Sequence, residues 1–224
     1  MGNSRLPVVL FALVVSLCVS TPAGADVLYQ SAQKLVSGAV GNQLGGIGTD
    51  SSFFSGVNFQ VTTPVHVTRI GGHFGNAIVA GNNEIFGAIM PVTSLTAAPQ
   101  PADLSSNVLA TTLITLPAAD FTDDVGGNLS LNLSPGFYGV VFGAGKFGAT
   151  GDTLAVTTLN NQQANTSGAV TYALRQSDGA FFTQAPGARY FVEGTVPEPA
   201  SAATLAVAAA LAAARRRRRR PARA

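Results

Sequence analysis

Two histidines, His66 and His73, are the side chains of this sequence best suited to acid–base or metal chemistry. They lie seven residues apart in a stretch rich in Val, Ile and Phe, which is typical of a strand. Successive side chains of a strand point to opposite faces, so this odd spacing separates the two imidazoles if the strand is continuous. Joint binding of one metal ion is therefore disfavoured, and we interpret both histidines as surface or rim residues.

A dense group of carboxylates lies in the middle of the chain, at Asp120, Asp123 and Asp124. Side-chain and backbone oxygens in such a loop could hold Ca²⁺. The spacing does not match an EF-hand loop, which alternates acidic positions and closes with a Glu. We interpret the group as a solvated turn, with a Ca²⁺ site as the alternative, and predict no other metal and no cofactor.

Motifs of nucleophilic catalysis and of phosphate binding are absent from the sequence. It contains no Gly-x-Ser-x-Gly nucleophile elbow and no Gly-x-x-x-x-Gly-Lys-Ser/Thr loop. The single cysteine, Cys18, falls in an N-terminal apolar run, so the rest of the chain has no thiol. The scattered carboxylates, such as Glu84 and Glu193, do not define a glycosidase pair from their order alone. We predict that the protein is not an enzyme and keep a secreted hydrolase as the less favoured alternative.

The charge of the chain is unevenly distributed. The 224 residues carry a formal net charge of +2, but seven of the 13 basic residues lie between Arg215 and Arg223. Residues 26–196 hold five basic residues against ten carboxylates, a net charge of −5. An acidic body does not neutralise phosphates, so a nucleic-acid partner is not predicted.

The N-terminus has the three-part layout of a secretory signal peptide. Arg5 precedes an apolar run over residues 6–20, and Ala23-Gly24-Ala25 forms a small-x-small cleavage site. The run of 15 residues is shorter than the ~20 that span a bilayer. The sequence predicts that residues 1–25 are removed by signal peptidase after Ala25.

Three unlike elements follow one another at the C-terminus, over residues 196–224. Val196-Pro197-Glu198-Pro199 forms an extended segment that suits an enzyme's cleft, because proline excludes helix and central strand. Residues 200–214 are small or apolar with high helix propensity, which predicts a short transmembrane helix. Positive charge after such a helix keeps that end in the cytoplasm. The residues predicted to act as this cytoplasmic stop are Arg215, Arg216, Arg217, Arg218, Arg219 and Arg220.

This arrangement resembles the PEP-CTERM sorting signal of Gram-negative bacteria, with Pro197, Glu198 and Pro199 matching its motif. The resemblance implies processing by an exosortase, a membrane-embedded enzyme similar to cysteine proteases and transpeptidases. It also implies an intermediate held in the inner membrane by residues 200–214, followed by export to the cell surface or an exopolysaccharide matrix. A permanent tail anchor and an arginine-rich nucleic-acid-binding tail are the alternatives, and neither explains the Pro-Glu-Pro segment.

The body over residues 26–195 has the length of one domain and the pattern of an all-β protein. Gly pairs such as Gly71-Gly72 and Gly126-Gly127 are expected at strand ends. Apolar and polar residues alternate over residues 57–61 and 129–133, as in half-buried strands, and the continuously apolar run 137–142 is predicted to lie in the centre of a sheet. The repeated short runs predict a single β-sandwich or jelly-roll-like domain. The predicted strands are residues 27–30, 53–61, 65–70, 84–92, 108–116, 129–133, 137–142, 153–159, 169–174 and 189–194.

The predicted function is that of an exported, non-catalytic surface or matrix protein. A carbohydrate-binding module is the alternative, because Tyr29, Tyr172, Tyr190 or Phe side chains could stack on the sugar rings of a polysaccharide if they were exposed.

Overall fold

The computed structural model describes the body of the chain with several gaps. The described residues are 25–32, 38–39, 48–49, 53–76, 84–97, 99–100, 103–118, 121–149, 155–157, 171–175, 177–183 and 188–197. Within them the chain forms strands and one short helix, α1, at Asp103–Ser106. The strands are β1 Asp26–Gln30, β2 Gly38–Ala39, β3 Gly48–Thr49, β4 Phe53–Val61, β5 Val65–Asn76, β6 Glu84–Pro91, β7 Ala110–Thr115, β8 Phe121–Leu133, β9 Gly136–Gly143, β10 Ala155–Thr157, β11 Thr171–Arg175, β12 Phe181–Thr183 and β13 Tyr190–Thr195.

The strands form two antiparallel sheets. Sheet 1 has seven strands in the order β1-β13-β5-β10-β3, with β8 pairing with both β5 and β2. Sheet 2 has six strands in the order β12-β11-β4-β9-β6-β7. The prediction of an all-β, sandwich-like body is therefore confirmed.

The main apolar core draws side chains from both sheets. Val57 and Phe59 of β4 and Phe142 of β9 represent sheet 2, and Ile70 of β5 and Val192 of β13 represent sheet 1. Alternate residues of each strand enter this core, as a half-buried strand requires. The alternation predicted for β8 is also seen, because Leu133 is buried while Ser130 and Asn132 are exposed.

Sheet 2 is covered on its outer face as well. Phe54, Phe86 and Tyr172 form a second buried cluster there, together with Leu104 of α1. Strands that are buried on both faces have nearly continuous apolar sequences. This explains the unbroken apolar run of β9, which lies between β4 and β6 as predicted.

The sheets are connected by two adjacent corners. Residues 62–64 lead from β4 in sheet 2 to β5 in sheet 1, and residues 134–135 lead from β8 in sheet 1 to β9 in sheet 2. Val61 pairs with Gly136 on one side of these corners, and Val65 pairs with Leu133 on the other. The two strand pairs therefore turn together from one sheet into the other.

One lateral edge of the sandwich is closed where β7 of sheet 2 packs on β8 of sheet 1. A Cβ on Gly127 would overlap the Thr112 side chain and lie 2.7 Å from the Leu113 carbonyl oxygen. Only glycine permits so close an approach at this point.

Some predicted details are wrong. Both glycine pairs lie inside strands, in β5 and β8, so these strands run to Asn76 and begin at Phe121 rather than ending at the glycines. Asn58, predicted on a solvated face, is buried with Nδ2 donating to the Ala97 carbonyl at 2.7 Å.

The flanking segments have only three described residues, Ala25, Val196 and Pro197. The rest of the predicted signal peptide and residues 198–224 lie outside the described part of the chain. Among the described residues, no helix has the length and apolar character needed to cross a membrane.

Candidate functional site

His73 is buried in sheet 1 between two strands that supply its partners. On one side β8 pairs with β5 in the register His73↔Asp124, and on the other the His73 N–H donates to the Arg189 carbonyl oxygen at 2.9 Å. Ile70 and Phe74 of the same strand belong to the core, so His73 lies on the opposite, outer face of sheet 1. The prediction of a surface histidine is wrong for His73, because Asp124 on the neighbouring strand β8 accepts a hydrogen bond from its buried ring. His66 is partly exposed and contacts Asn132 at 2.8 Å.

Gln30, His73, Asp124 and Arg189 form one network of hydrogen bonds, hereafter the Arg189 network. His73 Nδ1 donates to Asp124 Oδ1 at 2.8 Å, and Arg189 Nε donates to Asp124 Oδ2 at 2.9 Å. Arg189 Nη1 donates to Gln30 Oε1 at 2.7 Å and to the Ala32 carbonyl at 2.6 Å. The Asp124 and Arg189 side chains are only 8% and 5% exposed, so this is a buried ion pair.

The Asp124 carboxylate stays ionised in this environment. Burial acts to raise the pKa of Asp124, but the hydrogen bonds from His73 and Arg189 and the charge of Arg189 outweigh it. The net pKa lies below its ordinary value of 3.8. The carboxylate therefore balances the charge of the buried guanidinium at neutral pH.

The segment after β1 is held by the backbone on either side of Arg189, where the chain enters β13. Ser31 Oγ donates to the Ala188 carbonyl at 2.5 Å and accepts from the Tyr190 N–H at 2.7 Å. The Ser31 hydroxyl therefore both donates to and accepts from backbone groups. The Arg189 network and Ser31 together fix the start of the body to its last strand.

Phe191 continues this layer along the outer face of sheet 1. Its ring lies between two guanidinium groups, 5.1 Å from Arg69 Cζ and 5.4 Å from Arg189 Cζ. Arg69 also pairs with Glu193 at 3.1 Å. A Cβ on Gly71 would lie 2.5 Å from Phe191 Cζ, so the glycine makes room for the ring. The layer consists of alternating charged and aromatic groups whose partners come from different strands.

The predicted carboxylate group is not assembled as a turn. Asp123 and Asp124 lie within β8, whereas Asp120 falls outside the described residues. Asp124 is committed to His73 and Arg189, and the guanidinium opposes a cation at that carboxylate. No cluster of three or more potential metal ligands occurs among the His, Cys, Asp and Glu side chains that the structure describes.

The tyrosines considered as sugar platforms are not available on the surface. Tyr172 and Tyr190 are fully buried, and Tyr29 is partly buried and stacks on Phe59 at 5.5 Å. Burial, reinforced by Tyr190, raises the pKa of Tyr172 well above its ordinary value. That part of the interpretation is wrong, because alternate positions of β11 and β13 face apolar clusters. The large aromatic side chains that are exposed in the described region are Phe121, Phe147 and Phe182.

A cavity of about 300 Å³ lies beside β6, under the loop that carries α1. Pro91, Val92 and Pro99 form its apolar wall, and Asp103 and Asn107 form its polar wall. Asn107 Nδ2 donates to Asp103 Oδ1 at 3.1 Å, and the Gln100 N–H donates to Asp103 Oδ2 at the same distance. These bonds hold the loop closed around its own aspartate.

The two predicted processing segments leave the body side by side. Strands β1 and β13 are antiparallel neighbours in the register Asp26↔Gly194. Ala25 and Pro197 are both exposed, and they continue these strands at the same end of sheet 1. The remaining residues of the predicted cleavage site, sorting motif and arginine stop, namely Ala23, Glu198, Pro199 and 215–220, lie outside the described residues.

Sequence reasoning missed Gln30 and Arg189 as members of a site. The partners of Arg189 lie 65 and 159 residues away along the chain, so no local spacing connects them. The one local signal is an arginine next to the apolar strand 190–192, where a buried charge requires a partner.

The chain matches no protein-family model, and no curated protein is significantly similar to it.

Proposed function

We propose that this chain is an exported, non-catalytic protein of the cell surface or extracellular matrix, sorted through its C-terminal segment. The order of Pro-Glu-Pro, apolar run and arginine cluster over residues 196–224 supports the sorting step. The cleavage pattern over residues 23–25 supports export.

The observation that carries the proposal is the position of the two ends of the body. Asp26 and Gly194 are paired on neighbouring strands, which lie ~4.8 Å apart in a sheet. A body whose two ends emerge together can fold while both flanking segments are in one membrane. The linkers to the predicted apolar segments are short, namely residues 21–25 and 196–199. If the two ends lay on opposite sides of the sandwich, one of these linkers would have to cross the whole domain, for which it is too short.

In the proposed matrix protein, the pairing of β1 with β13 joins the first strand of the body to its last strand. Ser31 and the Arg189 network hold the N-terminal segment on the last strand through buried hydrogen bonds. After both flanking segments are removed, the remaining ends are short and belong to paired strands. Such ends offer few sites to proteases outside the cell.

The test is an alanine replacement of Pro197, Glu198 and Pro199 in a host that contains an exosortase. We expect the variant to accumulate in the inner membrane with an uncut C-terminus. Alanine favours helix, so the segment would join the predicted apolar helix and lose the extended conformation that the enzyme binds. The matched control replaces three exposed corner residues, Thr62, Thr63 and Pro64, by alanine and should be released normally. Release of the motif variant at the wild-type rate would contradict the proposal.

The alternative of a carbohydrate-binding module rests on an exposed phenylalanine, since the tyrosines suggested by the sequence are buried or partly buried. Phe182 is 41% exposed on β12, with Arg175 Cζ 5.6 Å from its ring. An exposed ring beside a hydrogen-bond donor is one way to hold a sugar. A glycan array with the wild-type body and Phe182→Ala tests this alternative, which requires binding that the substitution abolishes.

A further inference from the structure

A β-bulge divides the pairing of β13 with β5 into two parts. The register shifts between Glu193 and Gly194 of β13, which oppose Arg69 and Val67, so the extra residue is Thr68 of β5. Before the bulge, Tyr190–Glu193 form what we call the anchored half, in which the first three residues are almost completely buried. After it, Gly194 and Thr195 form the terminal half, which still pairs with Val67 and His66.

The terminal half contributes no fully buried side chain. Gly194 has none, although its buried backbone lies close to Leu28 and Val67, and Thr195 is only partly buried. The neighbouring strand β1 also changes register, between Val27 and Tyr29, and its first residues are exposed, with Val27 at 49%. Bulges interrupt regular pairing, and segments with few buried contacts open locally without global unfolding. The sheet can therefore release Gly194 and Thr195 while the anchored half stays in place.

The distance between the folded sheet and the sorting motif makes such an opening relevant. Only Val196 separates the terminal half from Pro197, and only residues 196–199 separate it from the predicted apolar helix. Four extended residues span at most ~13 Å, and six span ~20 Å. Enzymes that bind extended peptides pair with several consecutive backbone groups. While Thr195 remains paired with His66, its backbone and that of Gly194 are committed to the sheet.

We propose that Gly194 and Thr195 detach from the sheet and enter the cleft of the sorting enzyme together with the Pro-Glu-Pro segment. This inference rests on the function proposed above. The enzyme breaks one peptide bond beyond the anchored half. The C-terminal fragment leaves with a free amino group, and the acyl group passes to water or to another amine, which gives up the proton that the leaving amine takes. The bulge after Glu193 sets the boundary between the part that the enzyme binds and the part that stays folded.

Two disulfide locks test the inference in the full chain, in a host with an exosortase. His66→Cys with Thr195→Cys joins the terminal half to β5, and Arg69→Cys with Glu193→Cys joins the anchored half to the same strand. Both are directly opposed pairs, whose Cβ atoms are close enough for a disulfide. The body has no cysteine of its own, so each lock forms in a clean background.

C-terminal processing is followed by pulse–chase labelling with and without a reductant. In the oxidised state the terminal lock should slow processing at least about ten-fold, because a cross-link prevents local opening. Reduction should restore the rate, which separates the lock from a folding defect. The anchored lock should process at the wild-type rate in both states.

Three outcomes would overturn the inference: wild-type rates for both oxidised locks, equal slowing of both, or slowing by the terminal lock that reduction does not reverse. Insertion of Gly-Ser-Gly-Ser after Val196 in the oxidised terminal lock supplies a free extended segment and should restore processing. Failure of the proposed function has a different signature, since the wild-type chain itself would then remain uncut, or the alanine motif variant would be cut normally.

Discussion

Replacement of Asp124 by asparagine tests the Arg189 network most sharply. The change keeps the shape of the side chain and removes its charge, so Arg189 loses the carboxylate that its Nε contacts at 2.9 Å. Removing one partner of a buried ion pair costs ~3–5 kcal/mol, because the other charge is left uncompensated. A domain of this size loses ~2–4 °C in Tm per kcal/mol, so we expect a decrease of roughly 6–20 °C.

The assay is thermal and urea unfolding of residues 26–197, followed by far-ultraviolet circular dichroism. The matched control is Asp178→Asn, which breaks the Arg175–Asp178 pair at the surface, where the two side chains are 42% and 50% exposed. Solvent screens this pair, so the control should unfold almost as the wild type does. The double variant Asp124→Asn with Arg189→Met should lose less stability than the two single variants together.

The pH dependence follows from the lowered pKa of Asp124. A carboxyl group whose pKa is lower in the folded state stabilises the protein above its unfolded pKa, near 3.8, and this contribution is lost as the pH falls through the folded pKa. The difference in unfolding free energy between wild type and Asp124→Asn should therefore be largest at pH 6 to 7 and shrink below about pH 4. If Asp124→Asn lost less than about 1 kcal/mol of unfolding free energy at neutral pH, the interpretation of a buried, charge-balanced network would be refuted.

Three further predictions concern closure, folding and topology. Gly127→Ala should lower the free energy of unfolding by ~1–3 kcal/mol, because its Cβ would overlap Thr112. A Cβ on Gly136 would meet nothing closer than 3.5 Å, so the control Gly136→Ala should change the urea midpoint little. Equal urea midpoints for the two variants would contradict the closed edge. Residues 26–195 should fold alone as an all-β monomer without metal, and a helical circular-dichroism spectrum or unfolding by a chelator would contradict this. Replacement of residues 215–220 by serine should abolish retention in the inner membrane, as measured by cell fractionation; normal processing of this variant, with loss of salt-sensitive DNA binding, would instead favour a nucleic-acid tail.

Local pattern is sufficient to predict β4 and β9, in which glycines stand singly among apolar residues. β4 has the predicted bounds, and β9 lies at the predicted central position. Glycine misled the prediction for β5 and β8, because Gly71 and Gly127 serve close approaches of Phe191 and of β7 rather than turns. Such approaches are made by residues far apart in the chain, and a single sequence does not reveal them.

The candidate site was less predictable for the same reason. The sequence predicts Asp124 in a solvated turn, with a Ca²⁺ site as the alternative, and His73 on the surface. Their connection depends on the β5–β8 register, and the role of Arg189 depends on the return of the chain to β1. Asn58 shows the limit of alternation, since the Ala97 loop covers the face that a half-buried strand would expose.

The most direct test of the sorting account is the intact mass of the protein recovered from the cell surface, compared with that of the membrane-bound form. The account predicts a surface form that begins at Asp26 and ends before Ala200, together with a membrane form that begins at Asp26 and retains residues 200–224. A surface form that carries the complete C-terminal tail, arginine cluster included, would contradict it.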